Sequence, residues 1–106
     1  MSGKEIVKEA LKYLGKKLPG QSTDGLSFVA KVYLKATGKK LPSSIDELIN
    51  SGKKVNRKEI KEGDLIFPTA KSVGIYGAYN RYFCVDKEGT VKLSYAYSYY
   101  TGRKII

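Results

Sequence analysis

The sequence contains no histidine. That absence removes the side chain most often used as a general base near neutral pH, and with it the commonest metal ligand. Cysteine is almost missing too. Cys84 stands alone, so no internal disulfide can form, which fits a reducing compartment or indifference to redox state. One cysteine without histidine cannot supply a zinc site of the usual kinds within one chain. No cofactor and no metal are therefore expected. Long apolar runs are absent as well: none approaches the ~20 residues that cross a bilayer. The N-terminal stretch MSGKEIVKEALKYLGKK spaces acids and lysines through its apolar residues, where a secretory signal would carry an unbroken apolar block. The expectation is a chain with no membrane span and no signal peptide of its own. It starts in the cytoplasm, leaves by a route that needs no such signal, or was cut from a longer protein.

Acids are scarce relative to bases. Ten Asp and Glu face 20 Lys and Arg, for a formal net charge of +10. A charge of that size favours anionic partners, and nucleic acid, anionic lipid and anionic wall polymers all qualify. Lysine supplies 17 of the cations; arginine occurs only at Arg57, Arg81 and Arg103. Lysine binds as a hydrated point charge, whereas arginine carries the planar fork used to read guanine edges. The bias leans away from sequence-specific DNA reading but does not exclude nucleic acid. The length of 106 residues suits one domain spanning 1–106, and 42% hydrophobic residues suffice for a core at that length.

Helical signals fall in the first half and strand signals in the second, an order that predicts an α+β domain. Ile6, Val7, Ala10, Leu11 and Leu14 have helical spacing over residues 4–16, with Gly15 and Pro19 as stops. LPGQSTDG reads as a loop. A second helix follows with Phe28, Val29, Val32, Tyr33 and Leu34 as its apolar side, Asp24 as its cap and Gly38 as its end. Ser44 and Glu47 have capping-box spacing for a short helix through Ile45, Leu48 and Ile49, and Asn56 can cap one more turn. Beyond Gly63 the pattern becomes β. Strands are expected at Leu65–Phe67, through Val73, Ile75 and Tyr76, at Tyr82–Val85, and at Val91–Tyr95 running on towards Tyr97. Asp86–Gly89 forms a hairpin turn, and the terminal RKII closes the sheet.

KEGDLIF, SVGIY, RYFCV and SYAYSYYTGRKII, in that order, resemble the core segments of the NlpC-type cell-wall cysteine peptidases. STDGLSFVAKVYLKATGKKLP upstream resembles that family's nucleophile-bearing helix, and SIDELINSGKKV the segment after it. The resemblance covers nearly the whole chain. It implies a papain-like NlpC fold, with N-terminal helices packed on a small antiparallel β-sheet. It also implies a relative of enzymes that cleave peptide links in bacterial peptidoglycan. Their chemistry needs a thiolate at a helix N-terminus, an imidazole as base and a third polar group to orient it. Carried over by motif, the nucleophile position falls on Gly25, the base on Ser72 and the orienting residue on Cys84. All three positions are changed, so the resemblance points to a catalytically degenerate member.

Each of these residues also has an ordinary reading. Gly25 is a helix-start residue beside Asp24, or an opening for a ligand. Cys84 fills the core side of a strand, or is a relocated thiol with Lys71 or Asp86 as base. Ser72 lines the former cleft, or is a serine nucleophile with the adjacent Lys71 as base, although on a strand the two would point to opposite faces. Tyr95, Tyr97 and Tyr99 share one face if their strand stays extended, as packing or as a stacking platform to which Tyr76, Tyr79 and Tyr82 add. The candidate ligand contacts are Asp24, Ser72, Tyr76, Tyr95 and Tyr97. The leading function is a non-catalytic domain that binds peptidoglycan or an anionic wall polymer, or that serves as a structural piece of a phage-tail-like or secretion assembly beside other proteins. The alternatives are a basic nucleic-acid-binding domain and a peptidoglycan hydrolase with an atypical active site.

Overall fold

Apolar residues at helical spacing and strand-forming segments that alternate in burial sort this chain into two layers. The computed structural model describes residues 3–18 and 24–106. Pro19 and most of the LPGQSTDG loop lie outside the described residues. Three helices, α1 (Gly3–Leu11), α2 (Leu26–Thr37) and α3 (Ile45–Leu48), precede most of the sheet. The strands are β1 (Lys53–Val55), β2 (Leu65–Phe67), β3 (Gly74–Ala78), β4 (Arg81–Val85), β5 (Val91–Tyr95) and β6 (Thr101–Lys104). They form one antiparallel sheet in the order β1-β6-β2-β3-β4-β5. The expected α+β arrangement, helices against a small antiparallel sheet, is what the chain adopts.

One face of the sheet meets the helices. Leu65, Phe67, Ile75, Phe83, Val85 and Val91 join Ile6 and Ala10 of α1 and Phe28, Val29, Val32 and Tyr33 of α2 in a single buried cluster. Burial of such side chains contributes roughly 1.5–3 kcal/mol each. Tyr33 brings a hydroxyl into this core and satisfies it by donating to the Gly63 carbonyl. Burial raises its pKa well above the ordinary tyrosine value. The opposite face of the sheet carries its own buried residues, Val55 and Ile66, both aligned with Gly102 of β6.

Several helical expectations are corrected. α1 stops at Leu11 rather than running to residue 16. Its continuation tightens into i→i+3 bonds, Lys12 to Glu9, Tyr13 to Ala10 and Leu14 to Leu11, and then pairs with the sheet. Gly15 N–H donates to the Val91 carbonyl, Val91 N–H to Lys16, and Leu18 N–H to Gly89. Those cross-chain bonds replace the last helical turns, and Leu11 and Leu14 are left exposed. Leu34, expected on the apolar side of α2, is exposed too. At 3.6 residues per turn Leu34 falls on the side of α2 away from the stripe of Phe28, Val29, Val32 and Tyr33, so it faces outward. Gly38 does end α2: it sits at φ 76° and donates its N–H to the Leu34 carbonyl at 2.9 Å.

Local caps follow the sequence. Ser44 Oγ accepts from Glu47 N–H at 3.2 Å. Asn56 Oδ1 accepts from Lys58 N–H at 2.9 Å and Glu59 N–H at 3.0 Å, while Glu59 Oε1 accepts from Asn56 N–H at 3.2 Å. That reciprocal pair is a capping box around one helical turn. β1 was not expected. Only Val55 of its three residues is buried, so its pattern is silent, and pairing to β6 defines it. No helix among the described residues is long and apolar enough to cross a membrane.

Candidate functional site

The first site residues gather where α2 begins. Asp24 stands one position before the residue that starts the helix, which is Gly25. The Asp24 carboxylate nevertheless accepts from Leu26 N–H at 2.9 Å, serving one of the helix's orphan donors. Its backbone carbonyl accepts from Val73 N–H at 2.8 Å, which fastens the helix start to the entry of β3. Gly25 is buried against that entry with φ 85°. A Cβ placed there would lie 2.2 Å from the Val73 carbonyl oxygen. The backbone thus admits only glycine: the left-handed φ disfavours a side chain, and the contact leaves no room for one.

Ser72 adjoins Val73 but turns into its own loop. Its Oγ accepts from Thr69 N–H at 3.1 Å and lies 2.9 Å from Thr69 Oγ1. Lys71, proposed as a neighbouring base, donates its N–H to the same Thr69 hydroxyl. The register that pairs Ile75 with Phe83 and Tyr76 with Tyr82, continued by one residue, sets Cys84 opposite Gly74. Cys84 is not on the core side of β4, as its hydrophobic character suggested. Phe83 and Val85 take that side; Cys84 is half-exposed on the other face, with Sγ 3.3 Å from Ser94 Oγ. The strand's alternation forces this, since neighbours of two core residues must point away. Asp86, the other suggested base, is committed elsewhere. Its Oδ1 accepts from Glu88 N–H at 2.9 Å and Thr90 N–H at 3.0 Å. These backbone bonds, that from Thr90 foremost, hold its pKa below the usual carboxylate value. The side chains of Ser72 and Cys84 thus engage Thr69 and Ser94, and Asp86 engages the backbone of its own turn. No group of His, Cys, Asp and Glu among the described residues could hold a metal ion.

The tyrosines occupy the opposite end of the sheet. β3 leads from Val73 away to the β3–β4 turn, and at about 3.3 Å per residue the two ends are on the order of 20 Å apart. Tyr76 leans towards the turn, its hydroxyl accepting from Asn80 N–H at 3.0 Å. Tyr95 pairs with Arg81 across β4 and β5. β5 ends at Tyr95, so Tyr95, Tyr97 and Tyr99 do not line one strand face. Instead Tyr95 and Tyr97 stack, centroids 5.1 Å apart and planes 7° from parallel, and Tyr99 lies beneath Arg57 at 4.8 Å. The structure therefore divides the five candidate contacts: Asp24 and Ser72 at the helix start, Tyr76, Tyr95 and Tyr97 at the far turn.

Arg57 organises that far end, although nothing in the pattern of residues marks it beyond its being one of three arginines. Its guanidinium donates to the carbonyls of Ala96 at 2.7 Å and Tyr97 at 2.8 Å, and to Asn80 Oδ1 at 3.3 Å. Asn80 in turn accepts from Ala96 N–H at 2.7 Å through its backbone carbonyl. The turn it steadies is strained: Ala78, Tyr79 and Asn80 have φ of 121°, 52° and 61°. Asn tolerates that region, but alanine and tyrosine reach it rarely.

Comparison with known proteins bears on the site at this point. The family model of NlpC/P60 matches residues 10–106. The chain belongs to the NlpC/P60 family. Among solved structures, the NlpC/p60 domain of the peptidoglycan hydrolase SagA superposes with a TM-score of 0.87 at 24% identity, over 99% of this chain and all of that domain. RipD from Mycobacterium tuberculosis, described as a non-catalytic NlpC/p60 domain protein adapted to peptidoglycan binding, superposes with a TM-score of 0.80 at 18% identity, over 98% of this chain and 97% of that one. A family protein from Bacillus cereus matches 98% of this chain with a TM-score of 0.84 and 17% identity, and the match spans 40% of its own length. No curated protein matches the sequence. NlpC/P60 domains thus include both hydrolytic and non-catalytic members on one backbone. The positions to which the motif resemblance carried the catalytic roles, Gly25, Ser72 and Cys84, lie within the matched range.

Proposed function

We propose that this NlpC/P60 domain is a non-catalytic module that binds bacterial peptidoglycan. One observation carries the reading: Gly25, to which the motif resemblance carries the nucleophile, is held at φ 85° with its missing Cβ directed at the Val73 carbonyl. Thiol catalysis needs a sulfur at that helix start and a base beside it. The chain supplies neither, having no histidine and its single thiol on β4. RipD offers a precedent for a domain of this fold that keeps wall binding without catalysis. The net charge of +10 adds attraction to anionic wall polymers.

Purified sacculi test this directly. The domain should sediment with them, and chromatography of the supernatant should show no released muropeptides. Release that disappears on Cys84→Ala or Ser72→Ala would overturn the reading in favour of an atypical hydrolase. Absence of sacculus binding would overturn it in favour of a structural module. Nucleic-acid binding would instead announce itself by a steep salt dependence, with a log–log slope of about −0.9 per phosphate neutralised on duplex DNA.

A further inference from the structure

A groove of about 580 Å³ opens at the far end of the sheet, between α1 and the β3–β4 turn. Gly77, Phe83 and Leu93 line it from the sheet, Leu11 from α1, and Tyr79 from the turn. Glu62 and Arg81 bring charge to it. It adjoins the tyrosine stack, because Tyr95 is the cross-strand partner of Arg81. Tyr79 is 87% exposed, Tyr97 72% and Tyr95 60%. Three aromatic rings so open to water on one end of a small domain form an apolar surface that hydration disfavours.

The same end stores backbone strain. Non-glycine residues at positive φ cost of order 1–3 kcal/mol each and persist where the surroundings enforce them. Here the enforcement is Arg57, which ties Asn80, Ala96 and Tyr97 together through one guanidinium. The outcome of that strain is that Tyr79 projects from a fixed turn next to a fixed pair of stacked rings.

We propose that this groove and its tyrosines are a second binding surface, distinct from the degenerate cleft at Gly25, and that its ligand is the saccharide chain of peptidoglycan. The inference rests on the wall-binding reading above and specifies which part of the polymer is held. Three features select a glycan. Pyranose rings present flat C–H faces that stack on exposed aromatic rings, as Tyr79, Tyr95 and Tyr97 allow. Sugar hydroxyls both donate and accept, and the groove offers one of each kind: Arg81 as donor, Glu62 as acceptor. Neither of these makes an ion pair among the described residues, where Lys12 and Glu9 form the bridge observed. With one carboxylate matched by one guanidinium, the groove lacks the net positive lining that a phosphate backbone calls for, so a saccharide, whose charges are far sparser than one per nucleotide, fits it better than a nucleic-acid strand.

The test uses the intact domain and two soluble probes: glycan strands stripped of their peptides, and a single-stranded oligonucleotide. The expected result is binding of the stripped strands, weakened roughly three- to tenfold by Tyr79→Ala and by Tyr97→Ala. Both side chains are exposed, so melting curves should show the variants folded. Tyr100→Ala, at another exposed tyrosine outside the groove, should leave affinity unchanged. Chemical-shift changes should centre on Gly77, Tyr79, Arg81 and Tyr95. Binding of intact sacculi without binding of stripped strands would overturn the glycan assignment and leave the wall-binding reading standing. Binding of neither would overturn both. Oligonucleotide binding that falls with salt and is lost in the same two variants would reassign the surface to nucleic acid.

Discussion

Gly25 is held to glycine by backbone conformation and by space at once. Any side chain there meets the Val73 carbonyl and adopts a left-handed backbone. Gly25→Ala should therefore destabilise the fold by at least about 2 kcal/mol, read as a lowered urea midpoint. Gly25→Cys should do the same, so that a simple restoration with Ser72→His would weaken the fold before it could assemble a thiol–imidazole pair. Asp64 makes a second residue-specific prediction. It is 4% exposed, and its Oδ2 accepts from Lys61 N–H at 2.8 Å. Burial raises its pKa above the ordinary aspartate value, outweighing that hydrogen bond and the nearby lysines. A carboxyl with a raised folded-state pKa contributes most when protonated, and that contribution is lost as pH rises through the folded value. Asp64→Asn keeps an acceptor and removes the ionisation. The variant should be more stable than the parent at neutral pH, and the gap should narrow as pH falls through the carboxylate range in thermal melts.

Among the elements, the β3–β4 turn depends most on a single side chain. Arg57→Ala removes three hydrogen bonds and the stacking over Tyr99, and should cost about 1–3 kcal/mol. Arg57→Lys should recover only part, because an ammonium cannot reproduce the fork. Loss of amide protection confined to Ala78–Asn80 and Ala96–Tyr97, seen by hydrogen exchange, would locate the effect. This turn also marks where sequence reading ends. α2, the β4–β5 hairpin and its Asp86–Gly89 turn were legible because caps, periodicity and turn residues agreed there. β1 was not, since two of its three residues are exposed lysines and only the partner strand defines it. The end of α1 was misread because Gly15, Lys16 and Leu18 exchange helical bonds for bonds to the β4–β5 hairpin. At the site, Gly25, Ser72 and Cys84 were reached by resemblance of short motifs. The separation of Asp24 and Ser72 from the tyrosines could not, because it depends on strand direction and on where β5 stops. Arg57 was invisible, as its three acceptors lie 23 to 40 residues away.

For the molecule as a whole, charge is the dominant unbalanced quantity. Twenty basic residues face ten acidic ones, and the ion pair formed among the described residues joins Lys12 to Glu9 on the surface. Self-repulsion among the remaining cations should oppose the compact state. Raising salt from about 10 mM to a few hundred millimolar shortens the screening length several-fold and should raise the melting temperature by roughly a few degrees. A melting temperature indifferent to salt would mean that the lysines are spread too widely to repel one another. The same screening would weaken attachment to anionic wall polymers, so stability and wall attachment should respond to salt with opposite sign.

The bond from Val73 to Asp24 has a bearing on the domain's history. Once the segment before the helix was hydrogen-bonded down onto the strand, the space a sulfur atom would need was taken by main chain. Any side chain at Gly25 would require that peptide path to be re-laid first, so that each single step away from glycine passes through a less stable protein.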